Sequence, residues 1–327
     1  MKLLTNLQDY RSYPAIHYSL LSALDKNPEN LINKKEAPGK AMIMGSIIDT
    51  LLTSPDDFDN LYHIVNEEKP TGQGLVLFET FIQRFDTFNK DQMIVELYKI
   101  KEELQLWNTL VDLSKIQQRV EDPKILTAIE EHYKMQGKTP IYQHEKEKAN
   151  ALLESLKTHP FTHRFFNKTS DDVEIMYQTG IVFNHKKVLL DGIIIDKWER
   201  TITPFDLKTS EESALLFPSK ILKFRYDIQA ALYLEGVKEF AKCLYPEFKV
   251  NDFLFVVGSF NYPNKPLVYN SRNIIKMGTN GSTVQGRFYK GYKQLMNEYE
   301  WHTITDQWQY KKEIYDNHGI IDINYDQ

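Results

Sequence analysis

The spacing of hydrophobic residues changes near residue 170, and this change most constrains the fold. Before it, apolar residues recur at helical intervals, as in Phe78, Phe81, Ile82 and Phe85. After it, apolar and polar residues alternate, which is typical of strands whose two faces meet different surroundings. The strand-like segments are Val173–Tyr177, Ile181–Phe183, Lys187–Ile195 and Thr201–Lys208. A helical half followed by successive strands predicts a mixed α/β fold.

The remaining pattern extends this prediction over the whole chain. Further elements are expected as short helices at His17–Leu24 and Gly45–Leu52, more helices over 75–166, a helix at 226–241, a strand at Phe253–Val257 and a helix at Gly286–Tyr299. No repeat and no low-complexity linker divides the sequence. We therefore predict one domain over residues 1–327, with a helical N-terminal part at about 15–166 and a strand–helix core at about 170–300.

Composition excludes several classes of protein. Hydrophobic residues make up 42% of the chain and charged residues 26%, which is typical of a folded globular protein rather than a disordered one. No apolar run approaches the length of a membrane span and no secretory signal is visible, so we expect a cytoplasmic protein without a membrane partner. The single cysteine, Cys243, excludes an intrachain disulfide and a four-cysteine cluster. With a net charge of −5, any nucleic-acid surface has to be a local patch.

Two acidic residues and one lysine stand out in the strand region. Asp191 interrupts the apolar run Val188–Ile195, and Asp206 and Lys208 lie two residues apart in the next strand, so they share a face. If the two strands pair as a hairpin, similar numbers of residues on each side of the turn bring Asp191 close to Asp206. Asp196, at the end of the same strand, is the alternative, although alternation puts it on the opposite face.

Carboxylates that converge on one point repel each other unless a cation neutralises them. Oxygen ligands without a cysteine or histidine cluster favour Mg²⁺ or Mn²⁺. A lysine beside them can act on an attacking water and offset the charge of a phosphoryl transition state. The pattern therefore favours a divalent-cation site that acts on phosphate esters.

A longer stretch resembles a known family. Asp191, Asp206-Leu207-Lys208-Thr209 and the helix Tyr226–Tyr233 resemble the PD-(D/E)xK nuclease superfamily, in particular its RecB/RecE and lambda-exonuclease-like branch. In that branch a strand aspartate precedes Asp/Glu-x-Lys, and a helix with Gln-x-x-x-Tyr follows. Gly45–Pro55 resembles the family's early G-x-x-x-H-x-x-L-L helix, although Asp49 stands where the family has histidine. The resemblance implies the restriction-endonuclease-like type of mixed central sheet.

The resemblance also implies roles for individual residues. Asp191, Asp206 and the Leu207 carbonyl would bind one or two Mg²⁺ (or Mn²⁺) ions, with Asp49 or Glu174 as further ligands. Lys208 would act on the attacking water. Gln229 and Tyr233, one helical turn apart, would position the lysine or the phosphate backbone.

Basic and aromatic residues before that helix suggest where DNA binds. Lys220, Lys223 and Arg225 are interleaved with aromatic residues that include Tyr226, a combination suited to phosphates and frayed bases. An alternative patch consists of Arg287, Lys290 and Lys293, at three-residue intervals on the predicted C-terminal helix.

Taken together, the resemblance implies a magnesium-dependent DNA exonuclease that acts on linear duplex ends in phage-type recombination or DNA processing. It further implies a homo-oligomeric ring, a single-strand annealing protein as partner, and a bacterial cell or phage-infected host. Two alternatives stay open: an endonuclease of the same fold, and a nuclease-like DNA-binding protein with weak or no activity. No G-x-x-x-x-G-K-[ST] sequence is present, so a phosphate-loop motor is excluded.

Overall fold

The computed structural model describes residues 1–4, 6–33, 39–65, 69–87, 89–135 and 137–321. Residues 5, 34–38, 66–68, 88, 136 and 322–327, which belong to the predicted domain over 1–327, lie outside the described residues; of these, 88 and 136 also belong to the predicted helical region 75–166. The chain forms two compact units, one of residues 1–53 with 149–327 and one of residues 54–148. The prediction of one domain with a helical part at 15–166 does not anticipate this division.

The described residues form the following helices and strands. The helices are α1 (Leu7–Ser12), α2 (Tyr18–Lys26), α3 (Lys40–Thr53), α4 (Phe58–Leu61), α5 (Gln73–Arg84), α6 (Lys90–Glu103), α7 (Leu113–Val120), α8 (Pro123–Met135), α9 (Gln143–Thr158), α10 (His163–Phe166), α11 (Lys220–Phe224), α12 (Tyr226–Leu244), α13 (Ile275–Asn280), α14 (Tyr292–Thr305) and α15 (Lys312–Asp316). The strands are β1 (Lys2–Leu4), β2 (Tyr62–Ile64), β3 (Thr139–Ile141), β4 (Val173–Phe183), β5 (Lys186–Asp196), β6 (Thr201–Ser210), β7 (Lys249–Val250), β8 (Leu254–Ser259), β9 (Leu267–Asn270), β10 (Ser282–Val284) and β11 (Arg287–Tyr289).

The first unit is built on a mixed sheet with the strand order β1-β4-β5-β6-β8-β9, in which β7 also pairs with β6. Strands β4, β5 and β6 form antiparallel hairpins, whereas β6 and β8 run parallel. Parallel neighbours need a crossover connection, and α11 and α12 lie in the chain between β6 and β8. The first unit is therefore α/β, with a central mixed sheet flanked by helices, as the sequence predicts.

Helix α12 covers one face of this sheet. Apolar residues of the helix, among them Ile228, Leu232 and Val237, pack with those of β4, β5, β6 and β8 in one buried core. On another part of the sheet, the Phe205 ring packs edge-on against Phe165 of α10, at 5.1 Å between centroids. Burying a large apolar side chain contributes about 1.5–3 kcal/mol, so this packing fixes the strands and α12 relative to each other.

The second unit has a core of its own. Helices α5, α6, α7 and α8 contribute apolar residues to it, including Leu77, Leu97, Val120 and Ile129. Strands β2 and β3 pair in parallel at its ends in the chain. The helical prediction over 75–166 is confirmed for most of its length but misses β3.

The structure confirms the strands predicted between 173 and 208 and the helix near 226, but corrects the C-terminal helix. The predicted helix over Gly286–Tyr299 is wrong at its start, because a β-hairpin of β10 and β11 occupies 282–289 and α14 begins at Tyr292. The hairpin turns through Gln285 and Gly286, which both have positive φ, at 50° and 80°. Within the described residues, no helix combines the length and apolar composition needed to cross a bilayer.

Candidate active site

Asp191 and Asp206 meet where strands β5 and β6 stop pairing. The regular register runs from Asp196↔Thr201 to Gly192↔Phe205, and the two aspartates are the next residues on each side. There the backbone N–H of Leu207 donates a hydrogen bond of 2.8 Å to Oδ2 of Asp191. The hairpin inferred from the sequence is therefore present.

The strand alternation changes phase at Asp191. Val188 and Leu190 before it, and Ile193 and Ile195 after it, all belong to the same buried core, although strict alternation would put the two pairs on opposite faces. Gln178, on β4, lies opposite this position between the pairs Tyr177↔Gly192 and Thr179↔Leu190 and has φ of 45°. Such local breaks re-aim side chains near active sites.

Lys208 is held between a carboxylate and an aromatic ring. Its Nζ lies 2.6 Å from Oδ2 of Asp206 and 4.7 Å from the ring centroid of Tyr226. Burial by itself would lower the pKa of Lys208, but the charge of Asp206, helped by Tyr226 and Asp191, outweighs it and raises the pKa. The lysine therefore carries its proton and its positive charge at neutral pH.

Helix α12 brings an amide to the same point. Nε2 of Gln229 donates a hydrogen bond of 2.6 Å to Oδ1 of Asp206. Oδ1 of Asp206 is thus held by the Gln229 amide and Oδ2 by Lys208, so the orientation of the Asp206 carboxylate is fixed. Tyr233 follows one turn later, is buried, and interacts with the Gln229 side chain, while burial raises its pKa well above the ordinary tyrosine value.

Helix α3 adds a third carboxylate. Burial and, next, the negative charge of Asp206 raise the pKa of Asp49 from 3.8 to about 6, against the opposing charge of Lys208. The helix approaches the sheet closely at Gly45, where a Cβ would lie 3.9 Å from Oγ1 of Thr209, the residue after Lys208. Asp49, the residue in the family's histidine position, therefore lies within the electrostatic reach of the cluster.

The three carboxylates have an excess of negative charge in a buried setting. Burial and then the charges of Asp206 and Asp49 raise the pKa of Asp191 well above its ordinary value, and burial also raises that of Asp206. Oδ2 of Asp206 is buried and, apart from the Lys208 ion pair, accepts no hydrogen bond. Lys208 is one cation against three acids, so a hard divalent cation fits the chemistry of this donor set.

The fit concerns donor chemistry rather than a preformed cage. Among the residues that the structure describes, no group of three His, Cys, Asp or Glu side chains is already arranged as a metal site.

Two residues that the sequence assigns to the site, Glu174 and Arg225, have other partners in the structure. Glu174 pairs with Ile195, four residues along β4 from Gln178, which corresponds to roughly 13 Å at about 3.3 Å per residue. Its carboxylate is 3.2 Å from Nζ of Lys197, and its side chain is 42% exposed. The structure therefore does not bring Glu174, predicted as a metal ligand, into the cluster, because the strand carries it away from Asp191.

Arg225 is also corrected, since it is 2% exposed and its guanidinium is fully engaged inside the protein. It donates to both carboxylate oxygens of Asp227 at 3.1 Å, to Asp25 at 2.5 Å, and to the carbonyl of Lys290. A guanidinium with these partners does not reach a DNA phosphate.

The other predicted DNA-binding residues lie near the cluster but differ in availability. Lys220 is ion-paired with Glu212 at 2.6 Å, whereas Lys223 is exposed. The ring of Tyr226 faces Lys208 on one side and stacks on Phe217 at 5.6 Å, so it is not a free stacking platform.

The alternatives considered from the sequence are not supported by the structure. Lys290 forms ion pairs with Glu298 and Glu313, and Arg287 lies on β11 rather than on the helix that carries Lys293, so these three residues do not share a helical face. Oδ1 of Asp196 accepts from the backbone N–H of Glu199 at 2.9 Å, which is a turn-stabilising role.

Two neighbours of the cluster were not singled out as site residues from the sequence. Nε2 of Gln178 approaches Oδ1 of Asp191 at 3.5 Å. The Tyr18 hydroxyl donates to the carbonyl of Phe224, and the charges of Lys208 and Asp206 act on it. Tyr18 lies in the short helix that the sequence predicts at His17–Leu24, whereas no local pattern marks Gln178.

Comparison with known proteins gives little beyond these observations. No protein-family model and no curated protein matches the chain. Among solved structures, it is similar to a crystal structure of a protein from Eubacterium rectale that is provisionally named an exonuclease. The superposition covers 98% of this chain and 95% of that chain, with 10% sequence identity and a TM-score of 0.47.

Proposed function

We propose that this chain is a metal-dependent nuclease that hydrolyses phosphodiester bonds in DNA. The observation that carries the proposal is the convergence of Asp49, Asp191, Asp206, Lys208 and Gln229 from α3, β5, β6 and α12. Structural stability does not require this arrangement, because buried like charges oppose folding unless they are compensated. Clusters of groups with strongly shifted pKa values are typical of active sites.

Asp191 and Asp206, with Asp49 and the Leu207 carbonyl, would hold Mg²⁺ or Mn²⁺. When bound, such a cation supplies Lewis acidity at the phosphate and makes a water molecule a stronger nucleophile. Gln229 keeps Asp206 oriented through Oδ1. The protonated Nζ of Lys208 places a hydrogen-bond donor and a positive charge beside Asp206, where it can orient the attacking water and offset charge that develops on the phosphate.

The kind of nuclease, its DNA substrate and its partners are proposed from the resemblance to the PD-(D/E)xK superfamily. It favours an exonuclease that acts on linear duplex ends over an endonuclease, in phage-type recombination or DNA processing. The ring of subunits, the single-strand annealing partner and the cytoplasm of a bacterial or phage-infected cell are proposals of the same kind.

The proposal is tested by incubating the protein with linear duplex DNA labelled at the 5′ ends or internally, and with a closed circle. Reactions contain Mg²⁺, Mn²⁺ or EDTA. We expect metal-dependent degradation of the linear DNA, with a spared circle if the enzyme is an exonuclease. Asp206→Asn and Lys208→Gln should each lower the rate by about 100-fold or more, since each removes a group aimed at the reacting phosphate.

Glu174→Gln is the matched control, because it removes a carboxylate from the neighbouring strand without touching the cluster. It should cut at the wild-type rate. Wild-type protein that leaves every substrate intact in both metals, yet still shifts DNA on a gel, would reject the catalytic proposal and favour the DNA-binding alternative. Equal losses in Glu174→Gln and Asp206→Asn would place the activity outside this cluster.

A further inference from the structure

Two lysines from distant parts of the chain converge on one aromatic ring beside the candidate active site. Nζ of Lys26, at the end of α2, lies 5.8 Å from the ring centroid of Phe224, and Nζ of Lys223 lies 5.5 Å from it. Both lysines are exposed. A ring face attracts an ammonium group, so Phe224 gives both cations a preferred position while leaving them open to solvent.

The convergence is fixed by a buried ion-pair network beneath it. Arg225 follows Phe224 directly and binds Asp25, the residue before Lys26, as well as Asp227. Arg225 has the left-handed conformation, with φ of 59°, which ends α11 and begins α12. Because the network ties the end of α2 to the α11–α12 junction, the two lysines are held together by the fold.

The charges of the two lysines are not neutralised within the described part of the chain. The neighbouring carboxylate of Asp25 is engaged by Arg225. The charge of Lys223 contributes to the lowered pKa of Glu212, but the Glu212 carboxylate is itself ion-paired with Lys220 at 2.6 Å. Two exposed ammonium groups that share one ring without a carboxylate of their own favour an anion from outside the molecule.

The lysine pair is connected to the site by direct contacts. The ring of Phe224 stacks on Tyr226, at 5.6 Å between centroids, and Nζ of Lys208 lies 4.7 Å from the centroid of the same Tyr226 ring. Tyr18 donates a hydrogen bond to the carbonyl of Phe224. Phe224 and Tyr226 thus connect the lysine pair to Lys208 by a continuous series of contacts, so an anion bound by the pair would lie beside the candidate active site.

We infer that Lys26 and Lys223, positioned by Phe224, form a phosphate clamp that binds the backbone of the DNA strand next to the bond to be cleaved. This inference rests on the proposed function. The proposed partner of this surface is the phosphate backbone of a nucleic acid. The clamp also includes Lys26, which lies far in sequence from the predicted DNA-binding residues Lys220 and Lys223.

The test measures DNA binding without cleavage. Fluorescence anisotropy is recorded in EDTA for labelled single-stranded and duplex oligonucleotides over a series of salt concentrations. Each phosphate contact contributes about 0.9 to the slope of log K against log salt for duplex DNA and about 0.7 for a single strand. The double variant Lys26→Gln/Lys223→Gln should therefore lower the slope by about 1.8 or about 1.4.

Two further double variants make the result specific. Lys238→Gln/Lys242→Gln removes two exposed lysines from the later part of α12 and makes the same change in net charge, so its slope should stay at the wild-type value. Lys26→Arg/Lys223→Arg keeps the charges and should also retain the slope. Circular dichroism of each variant verifies folding.

The outcomes separate this inference from the proposed function. An unchanged slope in the clamp variant, or equal losses in the clamp and control variants, would overturn the clamp even if the wild type cuts DNA. A slope lowered only in the clamp variant would support the clamp, even if the nuclease assay failed. Wild-type protein without measurable DNA binding would overturn it as well.

Discussion

Asp49 should destabilise the folded protein at neutral pH when no cation is bound. Burial, and then the charge of Asp206, raise its pKa from 3.8 to about 6. The folded state thus holds this proton more tightly than the unfolded chain does. The contribution of the protonated group to stability is therefore present at low pH, is lost as the pH rises from about 4 to about 6, and stays lost above that range.

The size of the effect follows from the shift. Roughly two pKa units correspond to about 3 kcal/mol at about 1.36 kcal/mol per unit, which is an upper limit because Asp49 shares its electrostatic environment with Asp206. The substitution Asp49→Asn removes the charge with little change of shape. In EDTA at pH 8 we expect the variant to be more stable than the wild type by about 1–3 kcal/mol, and at pH 4 to be equal to it.

Urea unfolding followed by tryptophan fluorescence, at pH 4, 6 and 8, measures this difference. Asp171→Asn, which neutralises an exposed carboxylate before β4, is the control and should change stability little at any pH. With Mg²⁺ at pH 8 the order should reverse, because a ligand that binds only the folded state stabilises the wild type more than a variant that lacks one carboxylate. Asp49→Asn that is no more stable than the wild type at pH 8, or equally stabilised at pH 4, would refute the reasoning.

Three other substitutions test the surroundings of the site. Arg225→Ala should lower the free energy of unfolding by about 3–5 kcal/mol, since it strands two carboxylates inside the protein; a loss within 1 kcal/mol by urea unfolding would contradict this. Gly278→Ala should cost about 1–3 kcal/mol, because its Cβ would lie 1.9 Å from the carbonyl oxygen of Asp227 and push α13 off α12; an unchanged melting temperature would speak against that packing. Tyr226→Leu should lower kcat and shift the pH–rate profile by removing the ring that faces Lys208, while Tyr226→Phe should restore both; equal effects of the two variants would reject this positioning role.

The secondary structure around the site was predictable because its signals are local. The period-two pattern of β4, β5 and β6 and the long apolar helix α12 each contain their own evidence. The Asp206–Lys208 spacing predicts a shared face, and the ion pair of 2.6 Å confirms it. The wrong start of the predicted helix at Gly286 also had a local signal against it, since a glycine in a two-residue hairpin loop favours positive φ.

Two features that the sequence did not predict, the burial of Arg225 and the β2–β3 pair, depend on contacts between distant residues. Arg225 looks like a surface cation beside Lys223, yet its partner Asp25 lies 200 residues earlier in the chain. No local sequence pattern reveals that pairing. Without it, burying the charged guanidinium would cost too much free energy. The parallel pair of β2 and β3 joins residues 62–64 with 139–141, so neither three-residue strand shows a pattern of its own.

The position of Asp191 shows how a break in a regular strand pattern decides which way a side chain points. Periodicity assumes unbroken alternation, and under that assumption Val188 and Leu190 face away from Ile193 and Ile195. The chain instead breaks the pattern at Asp191, opposite a glutamine with φ of 45°, and the core residues on either side of the break stay on one face. An extended strand that kept its phase would have no reason to place a glutamine in a costly conformation there. The break therefore orients Asp191 toward Asp206 and Lys208 and leaves Glu174 at the far end of β4, where it pairs with Lys197.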